Sequence, residues 1–114
     1  MRPEGLAGDY LVEFLPDDLP HGLADPHLHL VRVYLGGEQH LQSGLAFRWR
    51  NRITARTMAE AAVYMTAHEL RHLWQHEQGL RMRVEPLERH ADAFAAWRLR
   101  AYRRTGLAQN CYRG

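Results

Sequence analysis

The feature that most constrains this chain of 114 residues is a run over residues 58–78 that contains neither proline nor glycine. Gly79 follows directly, at the position where helices commonly end with a residue in the left-handed conformation. These signals predict one long helix. The rest of the chain must therefore fold around a helix of about six turns.

This predicted helix carries an H-E-x-x-H pattern formed by His68, Glu69 and His72. Residues four positions apart lie on one face of a helix, so both imidazoles can bind one Zn²⁺ ion while Glu69 stands beside them as a base. The pattern is typical of zinc-dependent hydrolases.

The other faces of this helix differ in polarity. An apolar stripe roughly opposite the histidines predicts packing against the core; it consists of Val63, Ala67, Leu70 and Trp74. A narrow polar stripe is expected to face solvent; it consists of Glu60, Tyr64, Arg71, Gln75 and Gln78. Small or pliable residues on the metal-facing side predict that another element covers it; they are Met58, Ala61, Ala62 and Met65.

A catalytic zinc site needs a third protein ligand and leaves its fourth position to water. His76 lies on the same helix, but about 12 Å along the axis from His68, which is too far for both to bind one ion. A second helix is predicted over residues 86–104, because a proline stands near its start, alanines recur along it and Gly106 follows its end.

Glu88 and Asp92 lie one turn apart on one face of this second predicted helix. Glu88 can bind the metal while Asp92 accepts a hydrogen bond from the second ring nitrogen of a zinc-bound histidine. His90 is an alternative ligand, although two residues of helical rotation point it away from Glu88.

The order of H-E-x-x-H, fifteen intervening residues and then Glu88-x-x-x-Asp92 resembles the gluzincin class of zinc metallopeptidases, and the chain length resembles the minigluzincins. In the C-terminal half the resemblance rests on the motif residues. In the N-terminal half it rests on the coarse architecture alone. It implies that His68, His72 and Glu88 bind one zinc ion, and that Asp92 supports a histidine ligand. It also implies a small sheet packed on the two helices, with an edge strand that binds peptide substrate in extended form.

The expected activity is hydrolysis of a peptide bond in a protein or peptide substrate. Zinc would lower the pKa of a bound water toward about 7, and Glu69 would take its proton and deliver it to the leaving amine. A further donor is expected to stabilise the oxyanion; the candidates are Tyr64, Tyr102, His76 and His90.

The N-terminal half is expected to supply the sheet. Strands are predicted over residues 9–15 and 28–35, with a proline-punctuated loop over residues 16–26 between them. His27 and His29 would share one face of the second strand. A glycine pair closes that strand, and a hairpin partner is predicted over residues 45–56.

The fold class expected from these elements is α+β, with an antiparallel or mixed sheet of about three strands on the two helices. One domain over residues 1–114 would contain a strand-rich half (1–56), the zinc-binding helices (57–104) and a tail (105–114). The later part of the last strand is the expected substrate-binding edge; its residues are Asn51, Arg52, Ile53, Thr54 and Ala55. Alternatively, the arginines in this strand protect the edge from aggregation.

Charge and composition leave other functions open. Residues 1–38 hold seven acidic residues and two arginines, whereas residues 39–114 hold six acidic residues and thirteen arginines. Four of these arginines, 98, 100, 103 and 104, form a basic end to the second helix, so nucleic acid is a weaker candidate partner. No apolar run is long enough for a membrane span and no signal peptide is evident, so a cytoplasmic protein is expected.

Three alternatives stand beside the expected gluzincin-like peptidase. The chain would be a latent or inactive zinc-binding module whose tail, residues 105–114, occupies the cleft, a DNA-associated peptidase similar to the SprT-like group, or a non-enzymatic interaction domain. The oligomeric state is left open by the sequence.

Overall fold

The computed structural model describes residues 6, 8–37, 39 and 53–105. Three strands precede two helices along the chain: β1 (Leu11–Leu15), β2 (His21–Asp25), β3 (Leu30–Tyr34), α1 (Met58–Glu77) and α2 (Val84–Arg103). The three strands form one mixed sheet. The predicted α+β class is therefore confirmed.

The sheet has the strand order β1-β3-β2, so β3 lies in the centre. β1 pairs with β3 in parallel, and β2 pairs with β3 in antiparallel orientation. The prediction of a loop over residues 16–26 is wrong for β2. The segment has three prolines, and the two nearest β2, Pro20 and Pro26, lie just outside the strand. Every residue of β2 therefore keeps a backbone N–H that can pair with β3.

The turn between β2 and β3 includes two residues that were assigned to a strand. The Asp25 side chain accepts hydrogen bonds from the backbone N–H groups of His27 and Leu28, at 2.9 and 3.0 Å. His29 has a φ of 51°, in the left-handed region. The expectation that His27 and His29 share a strand face is therefore wrong, because local side-chain bonds from Asp25 close a turn there.

Most of the predicted hairpin partner over residues 45–56 lies outside the described residues. In its described part, Thr54 forms an isolated bridge, while Ile53 and Ala55 are buried on either side of it. Ala55 packs into a core between the sheet and α1, and Ile53 packs into a second core between the two helices.

α1 begins and ends close to the predicted positions. The side chain of Thr57 accepts a hydrogen bond from the backbone N–H of Glu60 at 3.1 Å, which caps the first turn. Gly79 has a φ of 68° and follows the end of the helix, as its glycine identity predicts. α2 begins two residues before the predicted start, at Val84.

The polar stripe expected on α1 does not face solvent at three of its positions. Glu60, Tyr64 and Gln75 are only 1%, 1% and 3% exposed. Each forms a side-chain hydrogen bond with a residue of α2, which satisfies its polar atoms inside the protein. This expectation was wrong because the helix pattern gives no information on bonds from a second helix.

Alanines bring α2 close to α1. Ala91, Ala95 and Ala96 are fully buried, and Leu99 continues the same packed face. Side chains this small let two helix backbones approach closely, so short polar side chains can reach from one helix to the other. Among the described residues, no helix has both the length and the apolar character needed to cross a membrane.

Candidate metal centre

Three side chains converge between α1 and α2. The Nε2 atom of His68 lies 3.0 Å from Glu88 Oε2, and the Nε2 atom of His72 lies 3.1 Å from Glu88 Oε1. The two Nε2 atoms are themselves 3.0 Å apart. We call His68, His72 and Glu88 the metal group, because its donor atoms all lie within 4.8 Å of one another and could hold one metal ion.

The orientation of His68 indicates that this convergence suits a cation. Its Nδ1 lies 2.9 Å from Asp92 Oδ1, and the same oxygen accepts a hydrogen bond from the Tyr64 hydroxyl at 3.0 Å. An ionised carboxylate only accepts, so Nδ1 carries the proton, and in the neutral ring Nε2 presents a lone pair to the oxygen of Glu88. A neutral His68 ring and the carboxylate of Glu88 thus both direct lone pairs to the same place, where a metal ion could accept them.

The spacing of the metal group also agrees with the distances between donor atoms around a small metal ion, for which zinc is an example. Two donors bound tetrahedrally to zinc at 2.0–2.1 Å lie about 3.3 Å from each other. The two Nε2 atoms are 3.0 Å apart, which is close to this value, and each lies 3.0 or 3.1 Å from a different oxygen of Glu88. The residues present therefore fit a bound metal in both chemistry and dimensions.

The second histidine is contacted by a residue that the sequence pattern did not identify as part of the site. His72 Nδ1 lies 2.9 Å from Gln75 Oε1, and the Gln75 amide nitrogen donates to the Leu87 carbonyl oxygen at 3.0 Å. The same nitrogen lies 2.9 Å from Nδ1 of His90. The sequence contained one indication of this contact: Gln75 lies three positions after His72, and residues three apart are neighbours on a helix surface.

A cleft of about 170 Å³ opens beside the metal group. β2 and the residue before it form one wall, and the helices form the other; the lining residues are Pro20, His21, Gly22, Tyr64, Met65, His68, Glu69 and Asp92. The side chains of the metal group are partly exposed: the solvent-exposed fraction is 16% for His68, 22% for His72 and 38% for Glu88. Solvent can therefore reach the point where their donor atoms meet.

Glu69 lies in this cleft directly under β2. A Cβ atom added to Gly22 would lie 2.6 Å from Glu69 Oε1, so any larger residue at this position would require the Glu69 side chain to shift. Burial raises the pKa of the Glu69 carboxyl, and nearby Glu88 acts in the same direction. His68 and His72 act in the opposite direction and lower it.

The four candidate oxyanion donors occupy different surroundings. Tyr64 lines the cleft but already donates its hydroxyl hydrogen to Asp92. Tyr102 packs against the core between the helices, and His76 is exposed, with its ring centroid 6.4 Å from that of His27. His90 contacts Gln75, and burial together with the charges of Arg71 and His72 lowers its pKa.

Comparison with known proteins does not assign the chain to a family: no family model, curated protein or solved structure matches it. The site is therefore defined by its geometry alone. It consists of two imidazoles and a carboxylate that could hold a metal ion, with a second glutamate in the adjoining cleft.

Proposed function

We propose that this protein is a zinc-dependent peptidase. One observation carries the proposal: the donor atoms of His68, His72 and Glu88 converge beside a solvent-accessible cleft that also contains Glu69. The resemblance of the motif spacing to the gluzincins supports the same activity.

The donor set favours zinc and an open site. Two imidazole nitrogens with one glutamate oxygen form a ligand set that zinc uses in peptidases, where a fourth position is left for water. A purely structural zinc site is normally closed by four protein ligands. In the part of the chain that the structure describes, the metal group has three, and the side chain of Glu88 is 38% exposed.

The residues around the metal group supply the remaining chemistry. Zinc bound there would lower the pKa of a coordinated water toward about 7 and polarise the carbonyl of a substrate. Glu69 follows His68 in the chain and lines the cleft, so its carboxylate accepts the proton of the attacking water and returns it to the leaving amine. Asp92 holds the proton of His68 on Nδ1 throughout, which keeps Nε2 directed to the metal.

The substrate-binding edge that we propose is β2, in place of the segment Asn51, Arg52, Ile53, Thr54 and Ala55. Among the described strands, β2 pairs with β3 alone and is an edge of the sheet. His21 and Gly22 line the same cleft as Glu69, so an extended peptide paired to this edge would run past the metal group. Ile53 and Ala55, in contrast, are 4% and 9% exposed, and Asn51 and Arg52 lie outside the described residues.

The contacts of the arginines on α2 also favour a peptide over a nucleic acid as the substrate or partner. Arg103 donates to the buried carboxylate of Glu60 at 2.6 Å. One of the four arginines at the basic end of α2 is therefore paired inside the protein and is not directed to a partner.

The decisive experiment combines metal content with cleavage of a peptide library by the full chain, purified without a histidine tag. The wild-type protein is expected to bind one zinc ion and cleave peptides. His72→Ala and Glu88→Ala should lose the zinc. Glu69→Gln should keep the zinc, and its turnover rate should fall by a factor of about 10²–10⁴. Glu85→Gln is the matched control, because Glu85 is an exposed glutamate of α2 that pairs with Arg89.

Each outcome distinguishes the alternatives. A protein that binds zinc through these three residues but cleaves nothing, with or without the tail over residues 105–114, would be a latent or inactive zinc module. Full activity of Glu69→Gln would rule out the assigned base. Absence of bound zinc in the wild type would overturn the metal site itself.

A further inference from the structure

We propose that Gln75 and His90 form a positioning pair that holds the proton of His72 on Nδ1 and thereby directs Nε2 to the metal. The inference rests on the metal site of the proposed function, but not on its catalytic activity. Both residues lie outside the metal group, and both act through His72.

Gln75 can perform this role because its amide has a defined orientation. Its Nε2 lies 3.0 Å from the carbonyl oxygen of Leu87, which can only accept a hydrogen bond. The donor end of the amide must therefore face Leu87, and the acceptor end, Oε1, must face His72 at 2.9 Å. An acceptor at that place requires a proton on Nδ1 of His72, so in the neutral ring Nε2 carries the lone pair.

His90 reinforces the same orientation. The second amide hydrogen of Gln75 points to Nδ1 of His90, 2.9 Å away. A neutral imidazole has one acceptor nitrogen, and the competing contact, between Arg71 and Nε2 of His90, is longer at 3.3 Å. Each contact brings a donor to a nitrogen of His90, and the shorter one directs an amide hydrogen of Gln75 to Nδ1, so both hydrogens of the Gln75 amide are used.

The reverse orientation of Gln75 would disable the site. A flipped amide would present its NH₂ group to His72 Nδ1 and its oxygen to Leu87 O. His72 would then accept on Nδ1 and carry its proton on Nε2, where it would block a metal. Because Gln75 is 3% exposed, water cannot readily replace the two hydrogen bonds that the flip breaks.

The two histidines of the metal group are therefore oriented by different means. Asp92 offers His68 a carboxylate, which can only accept and needs no further support to select the tautomer. Gln75 offers His72 an amide, which can either donate or accept, so it requires Leu87 O and His90 to define its direction. This requirement explains why a partly buried histidine stands between Glu88 and Asp92 without being directed to the metal.

The test is the zinc affinity of full-length variants, measured by competition with a chromophoric chelator. Gln75→Met retains the length of the side chain but removes the amide, and we expect zinc affinity to fall about 10- to 100-fold. His90→Leu removes one supporting hydrogen bond, and a smaller loss of about 3- to 10-fold is expected. Gln78→Ala is the matched control, an exposed glutamine of the same helix end, and should stay within about 2-fold of the wild type.

Two further measurements separate orientation from packing. Thermal unfolding of the metal-free proteins reports any general loss of stability, and the absorption spectrum of bound Co²⁺ reports the ligand geometry. Gln75→Glu retains an acceptor for His72, so it should recover part of the affinity that Gln75→Met loses. A changed Co²⁺ spectrum in Gln75→Met, with an unchanged spectrum in Gln78→Ala, is expected.

The inference is overturned if Gln75→Met and His90→Leu bind zinc as tightly as the wild type while His72→Ala does not. If Gln75→Met fails to fold, His90→Leu decides the question alone. A wild-type protein that binds no zinc would overturn both this inference and the proposed function, whereas equal binding by the variants overturns the inference alone.

Discussion

At the scale of single residues, the site depends on which ring nitrogen of each histidine carries its proton. His68 and His72 both direct Nε2 toward Glu88, and in both rings Nδ1 has an acceptor within 2.9 Å. Spacing in the sequence brings the two rings to one side of α1, but only these acceptors select the tautomer that leaves a lone pair for a metal.

Replacement of Asp92 tests this dependence at His68. Asp92→Ala removes the acceptor for Nδ1, and we expect zinc affinity to fall about 10- to 100-fold because the imidazole loses both its orientation and its selected tautomer. Equilibrium zinc titration of the full chain measures the effect. Asp18→Ala, in the exposed loop before β2, is the control; equal affinity of both variants would contradict the role assigned to Asp92.

At the scale of elements, β2 and α1 approach each other at one glycine. Gly22 pairs with Val33 of β3 and lies against the side chain of Glu69. A side chain on this strand position would occupy the space that the glutamate now fills. The strand therefore both forms a wall of the cleft and determines where the carboxylate of Glu69 can lie.

Gly22→Ala should impair turnover while zinc stays bound. The added Cβ would lie 2.6 to 2.9 Å from three atoms of Glu69, so the carboxylate must move. A displacement on the order of 1 Å is expected to reduce kcat by about 10-fold or more. Steady-state kinetics with a cleaved peptide provides the measurement.

Gly8→Ala is the matched control for that prediction, because its added Cβ would only contact the His29 ring at an ordinary 3.4 Å. Unchanged kcat in Gly22→Ala, at full zinc occupancy, would show that the position of Glu69 under β2 does not matter for turnover.

The two helices are also joined away from the site by a buried ion pair. Glu60 is 1% exposed, and its Oε1 accepts hydrogen bonds from Arg103 at 3.0 and 2.6 Å. The same oxygen accepts from the backbone N–H of Arg56 at 3.1 Å, and Arg103 also bonds the carbonyl oxygen of Thr54. This group connects the start of α1, the end of α2 and the segment before α1.

Arg103→Ala is expected to reduce the free energy of unfolding by about 3 kcal/mol, because it leaves the buried charge of Glu60 without its cationic partner. Urea unfolding followed by circular dichroism measures the change. Arg100→Ala, an exposed arginine one turn earlier on α2, should change stability by no more than about 0.5 kcal/mol. Equal effects of the two substitutions would argue against a stabilising role for the pair.

At the scale of the whole molecule, two cores share α1. One lies between the sheet and α1, and the other lies between α1 and α2. The metal group takes two ligands from α1 and one from α2, so a bound ion would link the second helix to the rest of the fold. Metal binding is therefore expected to stabilise the folded chain.

Thermal unfolding with zinc and with a chelator tests this expectation. A ligand present at 100 times its Kd stabilises the folded state by about 2.7 kcal/mol, which corresponds to a rise in Tm of about 10 °C for a chain of this size. Glu69→Gln should respond to zinc like the wild type, and Glu88→Ala should not respond. A Tm that zinc does not change in the wild type would contradict a metal link between the helices.

Much of the fold and the metal group was predictable from local pattern. The absence of proline and glycine, followed by Gly79, predicted α1 almost to its ends, and spacings of four residues predicted shared faces for His68 with His72 and for Glu88 with Asp92. β2 was missed because a strand of five residues that contains His21 and Gly22 has little apolar alternation of its own. β2 forms because it pairs with β3, and the sequence of β2 alone contains no information about that pairing.

The sequence by itself determined the helices, the α+β class and which side chains could act together within each helix, because those properties depend on residues a few positions apart. Only the tertiary structure decided that Glu60, Tyr64 and Gln75 are buried, that Gly22 lies against Glu69, and that Gln75 faces His72. A polar side chain is stable inside a protein only when a partner satisfies it, and for these residues the partners come from elements distant in the chain.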